Sequence, residues 1–155
     1  MENFSLQPQP ELVEFKLKNK GLKIGIPKEK SKQEKRIPLT PLSVSELTNL
    51  GHNILIESGA GLNSYYTDED YVNAGAKISN DIKQVYNSNI VLKVAPFSDE
   101  EILLLNNNQI ILSALHISAQ KKEKILKLIN KKVTAIAYEY IRNENEFFPI
   151  VHLMS

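Results

Sequence analysis

From Gly21 onward, short runs of β-branched and leucine side chains alternate with longer amphipathic stretches, the rhythm of βα units rather than of hairpins. Five runs read as strands, at 22–26, 53–57, 90–94, 109–114 and 133–138. Helical spacing falls between them at 41–50, where Val44, Leu47 and Leu50 share a stripe, and at 67–74, 81–86, 99–105 and 119–130. The helix starts carry oxygens able to accept from the orphan amides of a first turn, on Thr40, Thr67, Asn80, Ser98 and Ser118. The runs at 90–94, 109–114 and 133–138 are almost continuously apolar, as strands covered on both faces must be. The pattern predicts a single α/β domain: an open, mostly parallel sheet of about five strands, with helices on both faces and right-handed crossovers.

The stretch before this rhythm behaves differently. Residues 1–9 are polar and proline-bearing, whereas 10–20 set Leu12, Val13, Phe15 and Leu17 among charges. Residues 1–21 are therefore expected to form a leader, flexible or folded into a short helix or docking arm, ahead of a domain at 22–155.

Composition narrows the function classes. Nineteen basic against eighteen acidic side chains leave a net charge of +1, which supplies no long-range field for gathering nucleic acid or an anionic membrane. Without cysteine there can be no disulfide, thiolate nucleophile or sulfur-ligated zinc, and no other metal set suggests itself. No signal-peptide core and no apolar run of about 20 residues is present, so a soluble, cytoplasmic protein is expected.

Three side chains stand out as candidates for chemistry. Arg36 follows the first strand in a charged loop, at the edge of the sheet where ligands of open α/β folds bind, and its planar fork could grip a carboxylate. The alternative is one solvated charge among several in the run Glu29 to Arg36. His116 ends the apolar run 109–115, placed either to exchange a proton near neutral pH or to be buried as a structural imidazole. Lys93 interrupts an otherwise buried strand, so it must meet a carboxylate or a ligand, or else snorkel to the rim.

Other motifs point to structure. Gly59 and Gly61 follow a strand but lack the third glycine and the immediate helix of a dinucleotide fingerprint, so they read as a closely packed turn. Glu139 near Glu144 and Glu146, and the run Asp68-Glu69-Asp70, read as solvated loop and helix-start carboxylates.

Taken in order, KIGIPKE, EKRIPLTP, GH-x-ILIESGAG, TDEDY-x-x-AGA, ILSALH and AIAYE resemble the amino-terminal domain shared by alanine dehydrogenases and the nucleotide-handling subunit of NAD(P) transhydrogenase, over about 22–155. The resemblance implies a Rossmann-like fold and a substrate half of a nicotinamide-dependent oxidoreductase. It implies that Arg36 holds the carboxylate of L-alanine or pyruvate, that His116 donates and accepts the proton, and that Met154 lines the substrate site. The family's substrate lysine falls in register on Ala95, two residues beyond Lys93; side chains two apart share a strand face at about 6.6 Å, so Lys93 could substitute only by reaching forward. The resemblance further implies NAD or NADP bound mainly by a second domain expected after Ser155, no cofactor-binding residue within this chain, and a homo-oligomer. A transhydrogenase-type chain and a stand-alone non-catalytic binding module are the two other readings.

Overall fold

The computed structural model of the chain describes residues 21–31, 33–143 and 150. The leader up to residue 20, Glu144, Glu146, His152 and Met154 lie outside the described residues. Among the described residues six strands, not five, form one sheet: β1 (Lys23–Ile26), β2 (Asn53–Glu57), β3 (Lys77–Ser79), β4 (Ile90–Leu92), β5 (Ile110–Ser113) and β6 (Thr134–Ala137). The order is β3-β2-β1-β4-β5-β6 and every pairing is parallel. The additional strand, β3, is a short edge strand with one apolar side chain, Ile78, too little for hydrophobic patterning to reveal.

Helices α1 (Pro41–Asn49), α2 (Asp68–Asn73), α3 (Ile82–Tyr86), α4 (Asp99–Leu104) and α5 (Lys122–Asn130) fill the crossovers. Three expected caps form. Thr40 accepts from the Ser43 amide, and Thr67 and Ser98 build reciprocal capping boxes with Asp70 and Glu101. Asp81 rather than Asn80 caps α3, its carboxylate accepting from the Lys83 amide at 2.9 Å. Ser118 caps nothing, because a 3-10 turn at Ile117–Ala119 precedes α5, which starts after Lys121.

Two apolar layers sandwich the sheet. Val44 of α1 and Tyr71 of α2 pack with Ile24, Ile26, Ile54 and Ile56, while Tyr86 of α3 and Ile102 of α4 pack with Val91, Phe97 and Ile111. At the centre α3 closes so tightly on β1 that a Cβ on Gly25 would stand 2.1 Å from the Val85 carbonyl oxygen, so only glycine fits. The Gly59–Gly61 turn is a packing turn as expected: a Cβ on Gly61 would meet the Tyr71 ring at 2.6 Å.

Chain order reverses between β1 and β4, the topological switch point of a doubly wound sheet, where a crevice opens beyond the carboxyl ends of the strands. The candidate residues lie around that crevice.

Candidate active site

The loops leaving β1, β4, β5 and β6 enclose a cleft of about 390 Å³ lined by Glu34, Arg36, Ala95, His116, Tyr138 and Glu139 among others. That volume suits a small molecule. Arg36 and His116, distant in sequence, thus face one cavity, whereas Lys93 does not line it.

Arg36 is about half exposed, and its guanidinium is held rather than free: Nε donates to Glu34 Oε1 at 2.8 Å and Nη2 to Oε2 at 2.7 Å. The Arg36 backbone amide donates to Glu34 Oε1 as well, at 2.9 Å. This side-on grip leaves Nη1 and one hydrogen of Nη2 as an unused planar fork. The Arg36 hydrogen bonds hold the Glu34 carboxyl below the ordinary carboxylate range despite partial burial.

His116 is exposed, not a buried core imidazole. Its backbone is left-handed, at φ 44° and ψ 49°, a conformation unusual for a side chain other than glycine, asparagine or aspartate. The turn is pinned from β6: Oε1 of Glu139 accepts from the amides of Leu115 at 2.8 Å and His116 at 2.7 Å. Glu139 is therefore not the solvated loop carboxylate its acidic neighbourhood suggests, since its other oxygen is buried.

Lys93 is 2% exposed at the side chain and lines an adjoining cavity that shares Arg36, Val94 and Tyr138 with the cleft. Its ammonium donates to Glu101 Oε1 at 2.6 Å, lies 3.4 Å from Glu29 Oε2 and sits 5.4 Å from the centre of the Phe97 ring. Both carboxylates are themselves anchored. Glu101 Oε2 accepts from the Ser98 amide, and Glu29 Oε1 accepts from the amides of Val94 at 2.7 Å and Ala95 at 3.3 Å. Burial pushes both carboxyls up; for Glu29 burial prevails over Lys93, whereas for Glu101 the Lys93 charge and the Lys93 and Ser98 donors prevail and hold it below its ordinary value. Of the readings open for Lys93, the carboxylate partner is the one realised in this structure.

Tyr138 completes the wall by donating to the Val94 carbonyl at 2.6 Å; burial raises its phenol, and nearby Arg36 opposes the shift. Sequence pattern alone does not mark Glu29, Glu34, Glu101, Tyr138 or Glu139 as site residues. The one available signal was the burden on Lys93, whose buried charge demands acidic company.

A pyrophosphate does not fit the β1–α1 turn. The connection at 27–40 contains no glycine, α1 opens with Pro41, which has no N–H, and Thr40 already serves the Ser43 amide. Among the described residues no cluster could hold a metal ion, and no helix is long and apolar enough to cross a membrane.

Sheet order and cleft define the class, a Rossmann-like α/β domain with a small-molecule-sized crevice at its switch point. The chain belongs to the alanine dehydrogenase/PNT N-terminal domain family, whose model matches residues 25–155. It is 41% identical over 132 residues to the alanine dehydrogenase of Bacillus subtilis (strain 168), and 38% identical over 133 residues to that of Methanococcus maripaludis. The matches cover 85% of this chain but 34% and 35% of those enzymes, so the chain spans about a third of their length. Among solved structures, an L-alanine dehydrogenase superposes with a TM-score of 0.82 at 35% identity, covering 86% of this chain and 37% of that one. A transhydrogenase from Sinorhizobium meliloti gives 0.72 at 27% identity, covering 79% and 37%.

Proposed function

We propose that this chain is the substrate-binding half of an alanine dehydrogenase, a nicotinamide-dependent oxidoreductase that interconverts L-alanine with pyruvate and ammonia. The observation that carries the reading is the meeting of Arg36 and His116 in one cleft, within a domain similar to several alanine dehydrogenases. The free edge of the Arg36 fork receives the substrate carboxylate as a bidentate, charge-assisted pair. His116 exchanges the protons of the nitrogen or oxygen attached to the substrate's second carbon, whose own hydrogen leaves as hydride, as the amino acid and the keto acid interconvert. The family resemblance adds Met154 as a further substrate residue, a role that Met154→Ala tests through its effect on KM.

Lys93 serves this site through the Glu29 carboxylate that orders the Val94 and Ala95 amides, rather than by touching substrate. NAD or NADP binds outside this chain, a reading supported by the misfit of the 27–40 connection to a pyrophosphate. The intact protein is a cytoplasmic homo-oligomer.

Ala95, at the place of the lysine expected from the family resemblance, together with the transhydrogenase likeness, favours a second reading in which the domain supports a transhydrogenase-type subunit. The deciding assay follows reduction of NAD and of NADP by the native protein with L-alanine, alongside calorimetric titration of pyruvate into the chain. Saturable alanine oxidation abolished by His116→Ala supports the dehydrogenase. Hydride exchange between nucleotides without response to alanine supports the transhydrogenase.

A further inference from the structure

The left-handed backbone of His116 has a specific support in the turn after β6. One oxygen of Glu139 gathers two consecutive amides, and the other oxygen is buried without a hydrogen-bond partner among the described residues. A carboxylate arranged this way is not stabilised by solvent; its donors are the amides of the turn it braces. The opposite wall repeats the device, with Glu29 Oε1 gathering the Val94 and Ala95 amides and Glu29 Oε2 also lacking a hydrogen bond. Successive amides at strand ends form concavities suited to an anion, and here side-chain carboxylates occupy two of them.

From this geometry we infer that Glu139 is a positioning residue for His116, fixing the turn that presents the imidazole to the cleft. The inference rests on the proton-exchange role proposed for His116. A sparsely populated backbone conformation persists only where its surroundings over-determine it. Beyond Glu139, the turn is held by the Ala119 amide donating to the His116 carbonyl, a contact that closes the 3-10 turn without fixing the amides ahead of it. Loss of the carboxylate leaves the Leu115 and His116 amides without their acceptor and lets the imidazole drift from its register with the Arg36 fork.

The test compares Glu139→Ala with Glu139→Gln, which keeps an acceptor oxygen without the charge. In the isotope-labelled full chain, Glu139→Ala should shift the Leu115 and His116 amide resonances and the His116 ring resonances, and formate should return them toward the wild-type positions by refilling the vacated concavity. In the native protein, Glu139→Ala should lower kcat for L-alanine on the order of a hundredfold, as expected for a misplaced catalytic group, with KM little changed because Arg36 stands on another wall. Formate should recover part of that kcat, and Glu139→Gln should lie between wild type and alanine; if Glu139→Ala fails to fold, a Glu139→Gln with wild-type kcat and unchanged resonances overturns the inference. Unmoved His116 resonances in Glu139→Ala, or a loss that formate does not relieve, overturn it as well. If the wild-type protein does not oxidise L-alanine, it is the proposed function that fails, and the resonances alone then decide the role of Glu139.

Discussion

Replacing Lys93 by methionine separates the two roles its sequence position allows. Methionine keeps most of the side-chain volume, so the change is chiefly electrostatic: Glu29 and Glu101, with side chains 6% and 2% exposed, lose their shared cation. Removing one member of a buried ion cluster costs about 3–5 kcal/mol, and burial this deep leaves little solvent screening to discount. At about 2–4 °C per kcal/mol for a domain of this size, the melting temperature at pH 7 should fall by roughly 6–20 °C. The signs with pH follow from the two carboxyls. The net downward shift of Glu101 contributes stability that is present above its ordinary value and lost as pH falls through its folded value. In the variant both carboxyls lose the Lys93 charge that lowered them, so protonation on acidification relieves the defect. On acidification wild type gains through the raised Glu29 and loses through Glu101 only below the ordinary carboxylate value, whereas in the variant both carboxyls stand higher and both gain, so the gap between them should narrow from pH 7 to pH 4. Thermal and urea unfolding by circular dichroism at both pH values, with pyruvate titration at pH 7, measure this directly. A loss under about 2 °C accompanied by loss of pyruvate binding would show that Lys93 is a substrate contact and that the buried cluster is misread.

Three further changes test the site and its support. Arg36→Lys replaces a planar fork by a point charge and should weaken pyruvate binding by roughly 10- to 100-fold by calorimetry, with little change in melting temperature because the side chain is half exposed. His116→Gly removes a side chain from a left-handed backbone, so the melting temperature should hold or rise slightly while alanine oxidation is lost; a clear fall in stability would contradict the strained-turn reading. Gly25→Ala drives a methyl into the Val85 carbonyl and should cost about 3 kcal/mol or more in urea unfolding, whereas a near-neutral result would mean that α3 is not seated on β1 as described.

What the sequence made legible was whatever depends on neighbours in the chain. Among the described residues, alternation of apolar and amphipathic runs locates five of the six strands and the five helices α1 to α5, and the spacing of Thr67 to Asp70 and of Ser98 to Glu101 carries two capping boxes openly. β3 escaped because Lys77–Ser79 has a single isoleucine and takes its strand character from pairing with β2. α5 starts at Lys122, later than the spacing predicts, because the His116 turn and the 3-10 turn after it take up the residues ahead of it. Arg36 and His116 were visible through motif order. The carboxylates were not: Glu29 reaches an amide 65 positions away and Glu139 one 23 positions away, and nothing local distinguishes them from the solvated glutamates around them.

The same carboxylates set this sheet apart from one built to receive a dinucleotide. In such a sheet the first strand passes through a tight glycine turn into a helix whose free amides receive pyrophosphate. Here the chain leaves β1 into the long charged connection at 27–40, and α1 begins on a proline behind a threonine that already serves an amide. At the ends of β4 and β5, the exposed amides that could hold a phosphate are held by Glu29 and Glu139. With those positions filled by internal carboxylates, Arg36 is, among the described residues lining the cleft, the cation that presents an unused fork, and one fork matches one small carboxylate better than the two phosphates of a dinucleotide. The fold keeps the crevice that its strand order creates, and its glutamates occupy the amides at the ends of β4 and β5 that an anion would otherwise find.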